Sequence, residues 1–262
     1  MAEASSNRVH FLGTGTSYGI PMVGCNCDVC LSSDPHNKRL RSSVMFEVEG
    51  KRILIDTTPD LRQQLLRSGT TDIDGVIITH VHADHVFGMD DLRPISLRRN
   101  EPLPVIALPE AAALLRTTFP YIFAQKSRRE GLPWMDLIEV EPNQQFTVAG
   151  IPFTSFVAAH GYGRTMGVRY CDTTYLTDAK VVEPDARAII AGSRLLILDM
   201  LREEPHPTHL NLTDALEIVE SAGNPRTHFI HMSHEVDHAT LSARLPSHTS
   251  LAHDGLVLDL PE

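Results

Sequence analysis

The sequence predicts an α/β protein of one domain. Short β-branched and apolar runs bounded by glycine or turn residues are typical of buried strands, and they recur along the chain. Between them lie stretches with proline near the start and glycine past the end, which is the usual pattern of helices. The chain has 262 residues, of which 42% are hydrophobic, and it contains no repeat, low-complexity segment or obvious linker. These features favour one large core over residues 1–262.

The net charge and the distribution of apolar residues limit the kinds of partner that the protein is expected to bind. The formal net charge is −10 and the isoelectric point is about 5.7, which argues against broad binding to nucleic acid but is compatible with a small anionic substrate. Residues 1–8 are polar, and no run of about 18 apolar residues occurs in the chain. We therefore expect neither a signal peptide nor a membrane span, and we expect a cytoplasmic location.

The first elements are predicted to be a strand, a hairpin and a helix. Residues 9–12 form the strand and run into a glycine-rich turn that lacks the spacing of a phosphate-binding loop. Residues 43–48 and 52–56 flank Glu49-Gly50-Lys51, which indicates a hairpin. Residues 59–69 have proline near the start and glycine at the end, as a helix does. Asp56 closes the hairpin as a turn residue or as a partner that orients a ligand histidine.

A long insert, residues 20–41, separates the first strand from the hairpin. It has few apolar residues to hold it, so a bound metal would be needed to order it. In a reducing compartment its cysteines are better interpreted as thiolate ligands of one structural Zn²⁺ than as a disulfide. Its basic end, with Arg39 and Arg41, is either a solvated loop or a contact for a substrate phosphate. The three cysteines of the insert are Cys25, Cys27 and Cys30.

The motif H-x-H-x-D-H occupies residues 80–85, directly after a predicted strand at residues 75–78. His80 and His82 are two positions apart, so they point the same way in an extended segment. Asp84 and His85 follow as the chain turns and can face a second point nearby. Imidazole and carboxylate together suit Zn²⁺, Mn²⁺ or Fe, so the motif indicates two adjacent metals rather than an ordinary polar turn.

The rest of the chain continues to alternate strands and helices. An aromatic and basic stretch, residues 117–136, includes Phe119, Tyr121, Phe123 and Trp134 and is either a base-stacking surface or, with more weight, a dimer surface or local core. Cys171 is isolated in a strand-like stretch and is expected to be a small buried hydrophobe. Further strands are predicted at 102–107, 139–140, 145–148, 151–157, 165–170, 174–178, 195–199, 227–231 and 255–260, and further helices at 86–91, 109–116 and 213–221.

With this motif the sequence resembles the metallo-β-lactamase superfamily, whose fold is an αββα sandwich of two mixed sheets. In that family the H-x-H-x-D-H turn supplies ligands to both metals of a hydrolytic site, and three further ligands lie on later loops. The resemblance assigns these to His160 for the first metal, to Asp178 as the bridge between the metals and to His231 for the second metal. The implied active-site ligands are therefore His80, His82, Asp84, His85, His160, Asp178 and His231.

A second group of residues makes the resemblance more specific. C-x-C-x₂-C together with His231-x-x-His234 is similar to the PhnP-type cyclic-phosphate phosphodiesterases, and it makes His234 the fourth ligand of the structural zinc. The resemblance implies a homodimer with two Mn²⁺ or Zn²⁺ ions in its active site. It also implies small phosphodiester substrates, such as 5-phosphoribosyl 1,2-cyclic phosphate or 2′,3′-cyclic nucleotides, with no stable nucleic-acid partner and no membrane.

The resemblance also implies the catalytic residues. His209, in a loop before a helix, corresponds to the general acid of the phosphodiesterases, and the ligand Asp84 acts beside it. His206 is the weaker candidate because two prolines flank it. Two other functions use the same fold. A thioester hydrolase of the glyoxalase II type would need no acid such as His209, and a non-catalytic metal-stabilised binding module would be expected to lose some of the seven ligands.

Overall fold

A computed structural model of the chain describes residues 7–124 and 130–261. Its strands form two seven-stranded sheets within that part of the chain. The first sheet contains β1 (Arg8–Gly13), β2 (Ser43–Val48), β3 (Lys51–Ile55), β4 (Gly75–Ile77), β5 (Leu103–Ala107), β6 (Met135–Glu139) and β14 (Val257–Asp259). The second contains β7 (Gln145–Val148), β8 (Ile151–His160), β9 (Gly163–Tyr170), β10 (Thr173–Leu176), β11 (Leu195–Asp199), β12 (Arg226–Ile230) and β13 (Thr249–Leu251).

Both sheets are mixed, and each is antiparallel on one side and parallel on the other. In the first sheet the order is β14-β1-β2-β3-β4-β5-β6, and the strands from β3 to β6 are parallel. In the second the order is β13-β12-β11-β10-β9-β8-β7, and the strands from β10 to β13 are parallel. The carboxyl ends of parallel strands meet at one edge of a sheet, which is where open α/β sheets place their ligand sites.

The two sheets pack face to face around the main core. Phe46 of β2 meets Phe153 of β8 edge to face, with ring centroids 5.8 Å apart. Successive residues of a strand face opposite sides, so β11 is buried on both faces. Its Ile197 packs in the core between the sheets, whereas Leu198 packs beneath the outer helices. The uninterrupted apolar run of β11 is therefore that of a strand covered on both sides.

Helices cover the outer faces of the sandwich, so the αββα arrangement is confirmed. Leu61 and Ala112 lie in helices that cover the first sheet, and Ile190 and Ile218 lie in helices that cover the second. The helices are α1 (Asp28–Leu31), α2 (Leu61–Ser68), α3 (Ala83–Val86), α4 (Arg93–Ser96), α5 (Pro109–Thr118), α6 (Pro120–Phe123), α7 (Pro184–Ile190), α8 (Leu212–Ser221) and α9 (His238–Ser242), with 3₁₀ turns at Pro35–Asn37 and Met89–Leu92. None of the described helices is long and apolar enough to cross a bilayer.

Several predicted elements are confirmed and two expectations are wrong. The β2–β3 hairpin turns at Glu49 and Gly50, as its sequence indicates. The helix predicted after His85 is interrupted at Gly88, whose backbone N–H donates to the carbonyl oxygen of Thr57 at 2.9 Å instead of to a helical partner. Cys171 is exposed in the turn between β9 and β10 with a φ of 46°, so it is not a buried hydrophobe.

The aromatic and basic stretch is partly local core. Phe119 is buried and Phe123 packs against the main core, whereas Tyr121 is exposed and donates its hydroxyl to Asp90. Residues 125–129 of this stretch lie outside the described residues. Its four aromatic rings lie away from the cavity described below, which gives no support to the base-stacking interpretation.

Candidate metal centre

The predicted active-site ligands lie at one edge of the sandwich, where strands of both sheets end. His80 follows β4 of the first sheet, and His160 is the last residue of β8 in the second sheet. Asp178 follows β10, and His231 directly follows β12. These segments are far apart in sequence. Strand pairing within the second sheet brings the ends of β8, β10 and β12 to one edge, and the packing of the two sheets brings His80 to the same place.

Three histidines form a first group. The Nε2 atom of His80 lies 3.0 Å from the Nδ1 atom of His82, and the Nε2 atom of His160 lies 3.2 Å from the same Nδ1 atom. His80 directs its other nitrogen, Nδ1, to the hydroxyl of Thr79 at 3.1 Å. The Nδ1 atom of His160 donates to the carbonyl oxygen of Thr208 at 3.0 Å. Both contacts place the ring proton on Nδ1 and leave the lone pair of Nε2 free, which is the state that a metal ligand requires.

Two carboxylates and two histidines form a second group beside the first. The Nε2 atom of His85 lies 3.2 Å from an oxygen of Asp84 and 3.2 Å from an oxygen of Asp178. The Nε2 atom of His231 lies 3.3 Å from the other oxygen of Asp178. That oxygen is also 3.9 Å from His80 Nε2 and 3.8 Å from His160 Nε2. The carboxylate of Asp178 therefore lies between the two groups, where a bridging ligand would have to be.

These groups fit divalent cations. Ligand atoms about 2.1 Å from one tetrahedral ion are about 3.4 Å from each other, which is close to the observed separations. The Nε2 atoms of His85 and His231 are buried and have no hydrogen-bond partner among the described residues. A buried polar atom without a partner is costly in free energy, and a bound cation would remove that cost. The donor set of imidazoles and carboxylates is the one that Zn²⁺ and Mn²⁺ use.

The electrostatics of the site also favour bound cations. Burial by itself would lower the pKa of His85, but the carboxylates of Asp178, Asp56 and Asp84 raise it well above its usual value. Burial would likewise lower the pKa of His231, yet Asp178 and Asp84 raise it to about 9. The cluster of buried carboxylates therefore attracts positive charge into this edge of the sandwich.

Asp56 holds the ligand turn in place. Its Oδ2 atom accepts hydrogen bonds from the Nδ1 atom of His85 at 2.7 Å and from the hydroxyl of Thr79 at 2.8 Å. Asp56 thus orients a site histidine, the more specific of the two roles that its position in the sequence allowed. Asp56, Asp178 and His231 all have positive φ, at 64°, 54° and 61°. Such backbone strain in residues other than glycine is common at functional sites.

His209 lies next to both groups and is oriented by Asp199, which is not among the site residues predicted from the sequence. Its Nδ1 atom is 3.3 Å from Oδ2 of Asp199, which is fully buried at the end of β11. The His209 ring is stacked on that of His231, with centroids 4.9 Å apart. One signal could have identified Asp199 from the sequence, since it ends an apolar strand as Asp56 and Asp178 do.

The three cysteines of the insert come together with His234. The Nδ1 atom of His234 lies 3.3 Å from the sulfur of Cys25 and 3.3 Å from that of Cys27, and the sulfur of Cys30 completes the group within 4.8 Å. The backbone N–H of Cys30 and then His234 lower the pKa of the Cys27 thiol to about 6. A thiol that is easily deprotonated and a neighbouring imidazole suit a structural Zn²⁺.

Arg39 attaches this insert to the loop after β12, so both expectations for it are wrong. It is 1% exposed and donates to the carbonyl oxygens of Ser233 and Val236 at 3.1 and 2.8 Å. A buried guanidinium that bonds backbone carbonyls reaches neither solvent nor substrate. Arg41 instead pairs with Asp60 at 3.0 Å. The insert thus packs on the segment that directly follows His231.

A cavity of about 480 Å³, the site cavity, opens over the two ligand groups. Its inner end includes His80, Asp178 and His231, and its outer wall is formed by the start of α5 and the β8–β9 turn. A neighbouring cavity of about 310 Å³ shares Ser17 and His209 with it. His209 therefore stands where the two cavities meet, close to any ligand bound at the metal groups.

Comparison with known proteins agrees with this geometry. Residues 51–232 match the Beta-lactamase superfamily domain. A solved structure described as a new diphosphatase from the PhnP family is 38% identical, covers 97% of this chain and 98% of its own, and superposes with a TM-score of 0.90. Human tRNase Z, short form, is 19% identical over 97% of this chain and all of its own, with a TM-score of 0.69, and shares the fold.

A curated relative has a name of a different kind. The protein from Porphyromonas gingivalis named octanoyltransferase is 38% identical over 255 residues, which are 95% of this chain and 51% of that relative. The chain thus spans about half the length of this relative. The alignment does not extend over the remaining half of that protein.

Proposed function

We propose that this chain, which belongs to the metallo-β-lactamase superfamily, is a dinuclear phosphodiesterase for small cyclic phosphodiesters such as 5-phosphoribosyl 1,2-cyclic phosphate or 2′,3′-cyclic nucleotides. It is a metal-dependent hydrolase, like its similar solved structures. The observation that supports a phosphodiester as the substrate is the contact between His209 and Asp199. A histidine held by a buried carboxylate beside the ligand groups suits a leaving alkoxide, which needs a proton.

The chain's own residues divide the work of hydrolysis. When bound, two divalent metals would lower the pKa of water and neutralise phosphoryl oxygens. His80, His82 and His160 would hold one metal, Asp84, His85 and His231 the other, and Asp178 both. Asp84 thereby contributes to the chemistry as a ligand.

Proton transfer to the leaving group is the role of His209. The Nδ1–H of its ring is directed to Asp199 at 3.3 Å, so Nε2 lies on the opposite side of the ring. In the protonated ring, Asp199 stabilises the charge, and Nε2–H gives its proton to the departing oxygen.

The metal identities and the assembly are parts of the same proposal. We propose Mn²⁺ or Zn²⁺ at the active-site pair and one structural Zn²⁺ at Cys25, Cys27, Cys30 and His234. We also propose one hydrolase domain over residues 1–262, a homodimer, and a small anionic diester as the bound partner. Light scattering coupled to gel filtration tests the dimer, and metal analysis of the purified protein tests the ions.

The test of the activity is the initial rate on bis(p-nitrophenyl) phosphate with added Mn²⁺, measured beside p-nitrophenyl phosphate. Turnover of the diester with little turnover of the monoester supports the proposal, and 2′,3′-cyclic nucleotides then follow as substrates. Protein that holds two metals in the active site and turns over neither compound would overturn it.

Thioester hydrolysis is the second candidate, and the name of the Porphyromonas gingivalis relative favours it, because octanoyl transfer is acyl chemistry. The apolar wall of the site cavity, with Leu108 and Leu114, could accept an acyl chain. A thiolate leaves without protonation, so the pair of His209 and Asp199 has no role in that reaction. An octanoyl thioester assayed beside the diester separates the two functions.

A further inference from the structure

The outer wall of the site cavity is apolar. Leu108, the N-cap residue of α5, and Ala111 and Leu114, in its first two turns, form one side of the cavity above the ligand groups. Leu114 is 51% exposed, so an apolar surface faces water here. Ligand cavities commonly combine such apolar walls with a few polar groups that fix orientation. The wall suits a part of the substrate that is neutral and has little hydration.

Tyr162 stands at the mouth of the same cavity. It is the second residue of the two-residue loop Gly161-Tyr162, which joins β8 to β9. Gly161 has a φ of 55°, as the first central residue of a type II′ turn does. The turn is closed by the pair of His160 and Gly163, so the backbone of Tyr162 is fixed next to a metal-ligand candidate.

The ring of Tyr162 has no packing role in the fold. The residue is fully exposed and lines the cavity. Tyrosine is enriched at binding interfaces, because its ring offers apolar contact while its hydroxyl can remain hydrated. An aromatic face held on a tight hairpin is suited to stacking on another planar ring, which it can do with little loss of conformational entropy.

The cations around the two cavities are already paired. At the rim of the site cavity, Arg164 donates to Glu110 at 2.8 Å. In the neighbouring cavity, Arg202 pairs with Glu235 at 2.9 Å and also donates to two backbone carbonyl oxygens. Among the described residues lining these cavities, no arginine or lysine is left for a second phosphate. A substrate arm with an additional phosphate would therefore lack a counter-charge here.

We propose that Tyr162 is a specificity-determining residue that stacks on a planar, uncharged ring in the substrate, such as a nucleobase. The site then prefers a diester with a neutral ring over one with a second phosphate. This inference rests on the proposed phosphodiesterase function. The ring would lie between Tyr162 and the apolar wall at Leu114, while the phosphodiester lies over the metal groups.

The test compares two variants of Tyr162 on three substrates with Mn²⁺-loaded protein. The substrates are 2′,3′-cyclic AMP, 5-phosphoribosyl 1,2-cyclic phosphate, and glycerol 1,2-cyclic phosphate, which has no ring to stack. Tyr162→Ala should lower kcat/KM for the nucleotide about 10-fold, mainly through KM, because stacking on an aromatic side chain contributes on this scale. It should leave glycerol cyclic phosphate within about 2-fold, and Tyr162→Phe should keep the stacking and the wild-type values.

Two further measurements make the outcome specific. Tyr18→Ala is the matched control, because Tyr18 is also exposed but lines only the neighbouring cavity, and it should retain wild-type values. Calorimetry gives the Kd of adenosine 2′-monophosphate for wild type and Tyr162→Ala, and the variant should bind about 10-fold more weakly. This binding measurement is independent of turnover.

The outcomes separate the two proposals. Equal effects of Tyr162→Ala on the nucleotide and on glycerol cyclic phosphate, or no effect on either, would overturn the stacking role and leave the phosphodiesterase intact. A preference of the wild type for the phosphoribosyl substrate would overturn the preference for a neutral ring. Absence of all diester turnover would overturn the proposed function, and the Kd comparison would then decide the stacking role by itself.

Discussion

Replacement of His209 by alanine should slow phosphodiester hydrolysis by about 10²–10⁴-fold, the usual contribution of a positioned general acid. In free energy of activation this loss is about 2.7–5.5 kcal/mol. The structure favours the upper part of this range, because the ring is oriented by buried Asp199 at 3.3 Å and is only 12% exposed. A mobile, solvated histidine would contribute less.

The size of the loss should depend on the leaving group. A nucleoside alkoxide needs a proton as the P–O bond breaks, whereas p-nitrophenolate leaves without one. His209→Ala should therefore reduce kcat on 2′,3′-cyclic AMP far more than on bis(p-nitrophenyl) phosphate. The assay is kcat on both substrates with the same metal-loaded preparation, with the metal content measured for each variant.

The matched control is His206→Ala. His206 lies in the same loop, with its ring centroid 5.2 Å from that of His209, but its Nδ1 atom is hydrogen-bonded to Thr208 rather than to Asp199. The His206→Ala variant should therefore keep most of the wild-type activity. Equal losses on the two leaving groups in His209→Ala would refute the general-acid role. Loss of an active-site metal would instead make His209 a ligand, since its ligand atom lies within 4.8 Å of those of His160 and Asp178.

Three other changes test the remaining structure. Cys27→Ser should remove one Zn²⁺ per chain and lower the Tm but retain the active-site metals, as metal analysis and thermal unfolding would show. Gly88→Ala should lower the free energy of unfolding by about 1–3 kcal/mol or more, measured in denaturant, because its Cβ would overlap the Thr58 carbonyl. Burial, with Arg226, lowers the pKa of His228 to about 4 from 6.5. Protonation then favours the unfolded chain, so stability is full above pH 6.5 and falls toward pH 4, by about 2 kcal/mol at pH 5. His228→Phe should remove that part of the acid sensitivity in denaturant titrations at pH 7 and pH 5.

Each of these expectations has a result that contradicts it. Zn²⁺ content equal to that of the exposed control Cys171→Ser would count against the structural zinc site. A wild-type free energy of unfolding for Gly88→Ala would mean that the loop at Thr58 moves aside without cost. An unchanged difference in stability between pH 7 and pH 5 for His228→Phe would assign the acid sensitivity to other groups.

Local features of the fold could be predicted from the sequence because they depend on neighbouring residues. The turn at Glu49 and Gly50, the helix start at Pro109 and the strand before His80 all follow from short-range pattern and turn chemistry. Short elements without strong signals were missed, including β13 (Thr249–Leu251) and α9 (His238–Ser242). Their few residues are stabilised mainly by packing and sheet pairing, which a sequence pattern does not contain.

The candidate site, too, could be predicted from the sequence only in part. The H-x-H-x-D-H spacing and the three cysteines of the insert indicated metals from residue type alone, and the resemblance supplied the later positions in order. Only the tertiary structure places Cys27 3.3 Å from His234, 207 residues away, and His82 3.2 Å from His160, 78 residues away. Such distances depend on how the sheet edges meet.

By itself, the sequence determined which chemistry is available: imidazoles, carboxylates and thiols at strand ends and in the insert. The tertiary structure decided what those groups do. It buried Arg39 between the insert and the loop after β12 instead of exposing it, placed Asp199 beside His209, and left Tyr162 at the mouth of the cavity. The physical reason is that burial, pairing and access are properties of packed surfaces, which form only when segments distant in sequence come into contact.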